Sequence, residues 1–390
     1  MARSRARVAY HALPALAAFL AYALLVAPAA RVRTARRRRE GERPAILWGP
    51  VPIANLRNSV LADRAAGYRS ESIAYRLYRP SDREAFDHVL DRFTRVPLLG
   101  QLVPYGAFLW AGLRSDVFCF YFDGGLLGET PFWRAELPLL RLAGKKIVVW
   151  PYGGDARLPS RTRALGGWNA YSDVPPGTED RREEDVRVRL RAFGRWANVV
   201  LGCADLVEDL PRLDGVLPYP FDARGWEPVE TPAGETVRVV HASNHRHYKG
   251  TRYLIEAVEK LRSEGLPVEL VLVEGMSGDD ARIEYERADI IADQFLIGAY
   301  ALFAIEGMAL GKPVVCYLNE RFARHHPEWE RSPIVSASPD TLTERLRELV
   351  TDPGRRSDLG RRGPEYVREV HSPESVGAQL DAIYRGFWAS

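Results

Sequence analysis

Cysteine is scarce in this chain of 390 residues. Cys119, Cys203 and Cys316 are too few and too far apart for a disulfide framework, and with no C-x-x-C pair they offer no thiolate metal clamp. Each stands at or beside an apolar run, so buried reduced thiols are expected. A strong charge of one sign is missing as well. The formal net charge is +3, yet the first 43 residues carry ten arginines against Glu40 and Glu42, which leaves the rest of the chain at −5. A mildly acidic body excludes a nucleic-acid-binding surface, and no nucleic-acid partner is expected. Carboxylates and thiols are also absent from the loop around the histidine cluster His241, His245 and His247. Zinc needs three or four such ligands, so no metal is expected there.

What the chain does have begins with Tyr10 to Ala30, a nearly uncharged stretch of 21 residues. A helix needs about 20 to cross a hydrocarbon core. Arg3, Arg5 and Arg7 precede the stretch, while Arg31, Arg33 and Arg36 to Arg39 follow it. That bias puts the following body on the cytoplasmic face, held by a single N-terminal anchor or by a helix lying on anionic lipid. Ala27-Pro28-Ala29 resembles a signal cleavage site, but six arginines just beyond it oppose export.

From Pro44 the chain alternates strand and helix, the rhythm of doubly wound parallel α/β sheets. Ala45 to Trp48 reads as a strand ending in Gly49-Pro50, a turn that lets backbone approach a phosphate; Ser72 to Tyr78 reads as the next strand, and Arg83 to Phe93 as a helix. The apolar runs 116–122 and 146–150 end in the loops Asp123-Gly124-Gly125 and Tyr152-Gly153-Gly154-Asp155-Ala156-Arg157. Ligands in open α/β sheets bind at such strand ends. The charged run 179–191 has opposed charges at helical spacing and reads as a solvated face without function. The stiff link Leu217 to Asp222 divides the chain into an N-terminal segment 1–43, a first Rossmann-like domain 44–220 and a second 221–390.

The second domain opens with the strand Val237 to Ala242, a loop containing Arg246 and Lys249, and a helix from Gly250 to Arg262. A helix start with two cations suits a phosphate. Further on, Ala288 to Tyr317 holds strand, turn, helix and strand in thirty residues, with Glu306 inside a helix that ends in Gly311-Lys312-Pro313-Val314-Val315.

This stretch resembles the C-terminal motif of family-4 glycosyltransferases with the GT-B fold, in which two glutamates eight positions apart flank a glycine-containing turn. Glu306 matches the second glutamate, and Gly298 stands where the first is expected. The resemblance covers about residues 44–390 and implies two Rossmann-like domains facing a cleft, with a nucleotide-diphospho-sugar donor held by the second and a glycan or lipid-linked acceptor by the first. It implies Glu306 on the donor ribose, Arg246 and Lys249 on the diphosphate, and retention of anomeric configuration. Asp293 is a positional candidate to replace the missing glutamate, while Gly298 and Ala299 at the helix start offer backbone N–H groups to the donor. The loop at 152–157 resembles the family's acceptor-side loop. Asp155 there is expected to orient or deprotonate a hydroxyl, with Arg157 on an acidic group and Asp123 as a weaker acceptor-side candidate. No Asp-x-Asp occurs, so the metal-diphosphate clamp of the other large glycosyltransferase fold has no counterpart and no cofactor is implied. Two other readings share the fold: a nucleotide-sugar epimerase or hydrolase, and a catalytically silent membrane-anchored binder.

Overall fold

A computed structural model describes residues 2–78, 80–179, 181–230 and 234–388. Two parallel sheets organise it. The first has seven strands: β1 (Ala45–Trp48), β2 (Arg69–Ala74), β3 (His88–Val89), β4 (Val117–Phe120), β5 (Lys146–Val149), β6 (Val199–Gly202) and β7 (Gly215–Val216), in the spatial order β3-β2-β1-β4-β5-β6-β7. The second has five: β8 (Val237–Ala242), β9 (Val268–Val273), β10 (Ile290–Ala292), β11 (Val314–Cys316) and β12 (Val335–Ser336), in the order β12-β11-β10-β8-β9. In both, the order reverses beside the first strand, which opens a crevice at the carboxyl ends. β1, β4 and β11 are buried at every position, as central parallel strands covered on both faces must be.

Local expectations fail between β2 and β4. The second strand ends at Ala74 rather than Tyr78, and the expected helix over Arg83 to Phe93 is instead a 3-10 turn, the short β3 and one helical turn at Asp91–Thr94. The main helix of this region is Pro97–Arg114, which sequence reasoning passed over because Pro97, Gly100, Pro104, Gly106 and Gly112 interrupt it. Pro97 opens the first turn, where its missing N–H costs nothing. Pro104 is accommodated inside the helix.

The N-terminal apolar stretch forms a helix from Ala2 to Arg39, with a π-type turn at Tyr22–Val26. It lies along the first domain. Tyr22 stacks on Phe108 at 4.3 Å, and Thr34, Arg33 and Arg37 all donate to the buried carboxylate of Asp116.

The chain ends by returning to its start. The helix Pro373–Trp388 packs on Ala54–Ala65 of the first domain, close enough that a side chain at Gly377 would meet the carbonyl of Ala62. Tyr384 donates to Asp63 at 2.9 Å, and Trp48 and Ser70 donate to the same carboxylate. A second bridge crosses the cleft. Asp173 accepts two bonds from Arg252 and one from Tyr253, Trp168 donates to Asp340, and Tyr171 packs edge-on against Tyr248.

Candidate functional site

Between the sheets lies a cavity of about 1050 Å³. Its walls include the segments beyond the carboxyl ends of β5, β8, β9 and β10, with the helix Leu302–Ala309 that follows the last. This is the place the strand orders predict for a ligand.

On the second-domain wall, Lys249 and Glu306 both line the cavity. Lys249 closes the turn Arg246–Lys249, where Gly250 adopts φ +75° and ends it. Its ammonium donates to Asp293 Oδ1 at 3.0 Å and to the carbonyl of Ala242 at 3.1 Å. Asp293 is fully buried and also accepts from the backbone N–H of Ala301, so it fixes Lys249 and the entry of the helix Leu302–Ala309 together. It stands behind Lys249 and is absent from the cavity lining. Glu306 projects from that helix, whose Phe303, Ile305 and Met308 are buried. Burial raises the Glu306 carboxyl to about 7, with Lys249 opposing the rise and Asp293 adding to it. A carboxylate so placed changes protonation near neutral pH.

Arg246 does not join them. Its guanidinium makes two bonds of 2.6 Å to Glu274 just beyond β9, and it faces a neighbouring surface depression rather than the main cavity. The expectation of a pair of cations facing Glu306 is corrected to one, because a nearer carboxylate engages the other. Of the histidines, His241 is buried, with Nδ1 donating to the carbonyl of Ala292 at 2.7 Å and Nε2 accepting from Thr251 at 2.8 Å. Burial, then Lys249, pulls it down to about 4, so it stays neutral. His245 lines the cavity.

Gly298 and Ala299 are not at a helix start, since the helix begins at Leu302. Gly298 sits in the preceding loop at φ +84°, and a Cβ there would come within 2.9 Å of Asn319 and 3.2 Å of Phe322. A side chain at this position therefore points into the protein body. Ala299 is fully buried and its carbonyl accepts from Gln294. Neither residue lines the cavity, which corrects the expectation that their N–H groups face a donor.

The first-domain wall is built from Tyr152, Gly153, Gly154 and Arg157, with Tyr171 and Arg181. Asp155 is the organiser of this loop. It is buried and accepts the N–H groups of Phe122, Tyr152 and Gly153 at 3.1, 3.0 and 2.9 Å. Burial, with Asp123 adding to it, raises its carboxyl to about 7. It is absent from the cavity lining, which corrects the expectation that it faces an acceptor hydroxyl. Arg157 lines the cavity, but two of its nitrogens bond Asp205 at 2.8 and 2.9 Å. Asp123 receives Arg181 and the Tyr152 hydroxyl. Gly49 is outside the cavity lining; a Cβ there would strike the carbonyl of Ile73, so its close approach is to the neighbouring strand and not to a phosphate.

Several cavity residues had no signal in the sequence. Arg181 lies in the charge run read as a solvated face, yet it folds back onto Asp123 and reaches the cavity. Trp226, Arg282 and Tyr285 line the far end, with Arg282 over the Trp226 ring at 4.8 Å and Tyr285 against Phe303 at 4.8 Å. Only the distance between Trp226 and Arg282 in sequence hid that pairing.

Two parallel-sheet domains, a cleft between their carboxyl edges and a last helix crossing back to the first domain make up the GT-B fold of glycosyltransferases. Solved structures of that fold superpose over nearly the whole chain. Sucrose-phosphate synthase from Thermosynechococcus elongatus has a TM-score of 0.58 at 14% identity, covering 89% of this chain and 100% of that one. HepE of Anabaena, in complex with UDP and glucose, has a TM-score of 0.56 at 13% identity, covering 88% and 99%. No family model matches the sequence. Among characterised proteins, the MMP alpha-(1->4)-mannosyltransferase of Mycolicibacterium hassiacum is 26% identical over 210 residues, 46% of this chain and 51% of that protein. The chain thus matches about half the length of that relative.

Proposed function

We propose that the protein is a glycosyltransferase that moves a sugar from a nucleotide-diphospho-sugar to a hydroxyl of a glycan or lipid-linked acceptor. The observation that carries this reading is Lys249 and Glu306 on one wall of the GT-B cleft, a fixed cation and a carboxylate on the same ligand-sized cavity. The mannosyltransferase relative supports a glycosyl acceptor chemistry. In the reaction, the acceptor oxygen bonds the anomeric carbon, the bond from that carbon to the diphosphate oxygen breaks, and the hydroxyl proton is released. Lys249, already held by Asp293, would stabilise the negative charge that grows on the departing diphosphate. Glu306, once ionised, would accept hydrogen bonds from the ribose diol. Arg246 would reach the diphosphate only by exchanging Glu274 for it. The acceptor would lie against Tyr152, Gly153, Arg157 and Arg181, the wall opposite Lys249.

Retention of configuration and catalysis without a metal are part of this reading, supported by the resemblance of the Glu306 segment and by the charge that Lys249 supplies. So is residence on the cytoplasmic membrane face, supported by the arginines that follow Tyr10 to Ala30.

The test is a panel of nucleotide sugars scored by thermal stabilisation, since specific binding raises the melting point by mass action. At least one should stabilise the native chain, and Lys249→Met should weaken it by about 1.5–3 kcal/mol, the range for a charged hydrogen bond. Arg246→Met should matter less. Binding unchanged in Lys249→Met, or no stabilisation by any nucleotide sugar, would remove the assignment. Product formation with and without a lipid extract then separates transfer from hydrolysis and from silent binding.

A further inference from the structure

The N-terminal helix is apolar on both faces. His11, Ala15, Ala18, Tyr22, Val26, Ala30 and Thr34 recur at helical spacing and are buried against the first domain. The opposite side of the same turns carries Leu13, Leu16, Leu20, Leu24 and Leu25, all exposed, with Leu13 at 74% and Leu24 at 69%. The helix Pro97–Arg114, on which it packs, repeats the pattern: its outer stripe includes Leu99, Leu102 and Leu113, each exposed by about the same 44–45%. Phe93 and Val96, exposed just before it, extend this second stripe. Two neighbouring helices thus present apolar stripes to solvent, where a soluble surface would place charges.

Arginine is the commoner charge around these stripes, with Glu40 on Arg36 and Asp91 on Arg95 as the nearby acids. Residues 1–39 and 92–115 contain twelve arginines and no aspartate or glutamate, within a chain whose body is otherwise net acidic. These acid-free stretches are far apart in sequence, and the fold lays one on the other. Exposed Arg31, Arg36 and Arg39 stand beyond the leucines at one end of the long helix, and Arg92 and Arg95 stand at the start of the second stripe. Apolar side chains bordered by arginines match a bilayer interface with anionic headgroups.

The packing also bears on how the helix meets that bilayer. His11 lies 3.2 Å from the Tyr105 hydroxyl, and Arg37 lies 3.0 Å from Asp116. From residue 11 to residue 37 a helix rises about 39 Å at ~1.5 Å per residue, longer than the ~30 Å of a hydrocarbon core. Over this whole length it is fastened to the sheet domain. A spanning helix would have to leave those contacts or carry the domain into lipid.

We propose that the protein docks on anionic membranes in plane, through a two-helix face made by the exposed leucines of the N-terminal helix and of Pro97–Arg114, with the flanking arginines on headgroups. The cleft then stays in the aqueous phase beside the surface.

The experiment is flotation of the full chain with vesicles of phosphatidylcholine alone or with about 30% phosphatidylglycerol, the anionic content that attracts basic segments. The native chain should float with the anionic vesicles, and high salt or Arg31→Ser with Arg39→Ser and Arg92→Ser should reduce the bound fraction. Leu99→Glu with Leu102→Glu should reduce it roughly tenfold while leaving melting and nucleotide-sugar binding unchanged, because both side chains face solvent. A helix that spans would be indifferent to those two substitutions, so flotation of that variant at the native level overturns the proposal. Equal binding to neutral vesicles overturns it too. So does a dimer, seen by sedimentation, that Leu20→Glu with Leu24→Glu dissociates and vesicles fail to compete away, since the face would then belong to a second copy. If the leucine variants misfold, the arginine variant, changed at three exposed positions, decides.

Discussion

At the scale of single residues, the site is governed by which carboxylates are free. Asp155, Asp205, Asp293 and Glu274 are each committed to backbone or to a cation, while the cavity is lined by Asp279 and, beside Lys249, by Glu306. Its carboxyl is raised from 4.5 to about 7, so the folded protein keeps a proton that the unfolded chain releases. Its contribution to stability is therefore full below about pH 4.5 and is lost as pH rises through 7. Ligand binding should run the other way. If the ionised form receives the ribose, nucleotide affinity measured by calorimetry should rise between pH 6 and 8, about the span of the titration, and Glu306→Gln should flatten that rise. Asp155→Asn tests the opposite case. An amide can accept from the loop N–H groups through one oxygen only, so the variant should lose about 1–3 kcal/mol in denaturant unfolding. A loss of turnover without that loss of stability would return Asp155 to the chemistry.

At the scale of elements, the loop before the helix Leu302–Ala309 explains why Gly298 stands where a glutamate is expected. Its φ of +84° suits glycine, and its Cβ direction meets Asn319 and Phe322. Gly298→Ala should thus lower stability by about 1–2 kcal/mol, read from melting, through backbone strain and crowding. Strands β8 and β9 were legible almost to the residue because each is a short apolar run bounded by polar loops. The helix carrying Glu306 was legible for its Gly and Pro punctuation. What stayed hidden depends on contacts across the chain: Pro97–Arg114 is helical because its apolar face is buried, against its own glycines and prolines. Glu274 captures Arg246 from 28 residues away, a competition no motif records. Asp155 looked like a catalytic carboxylate because a turn organiser and a general base share the same residue and the same loop.

At the scale of the whole molecule, the two domains are joined by the bridge from Asp173 to Arg252, by the crossing helix Pro373–Trp388, and by Arg321 and Arg324 on Glu208. The second is the more demanding contact. Gly377→Leu would push a side chain into the Ala62 carbonyl, and a cost of about 1–3 kcal/mol or more is expected for such overpacking. It should appear as a lower melting point and as faster hydrogen exchange in Ala54–Ala65. The same helix sets an order of events during synthesis. Domains ordinarily fold as they leave the ribosome, first one and then the next. Here the first sheet keeps Trp48, Asp63 and Tyr68 waiting for Asp381 and Tyr384, residues translated more than three hundred codons later. Until they arrive, the nascent first domain has an unfinished apolar flank, and a chain stalled before residue 373 should be a client for chaperones rather than half an enzyme.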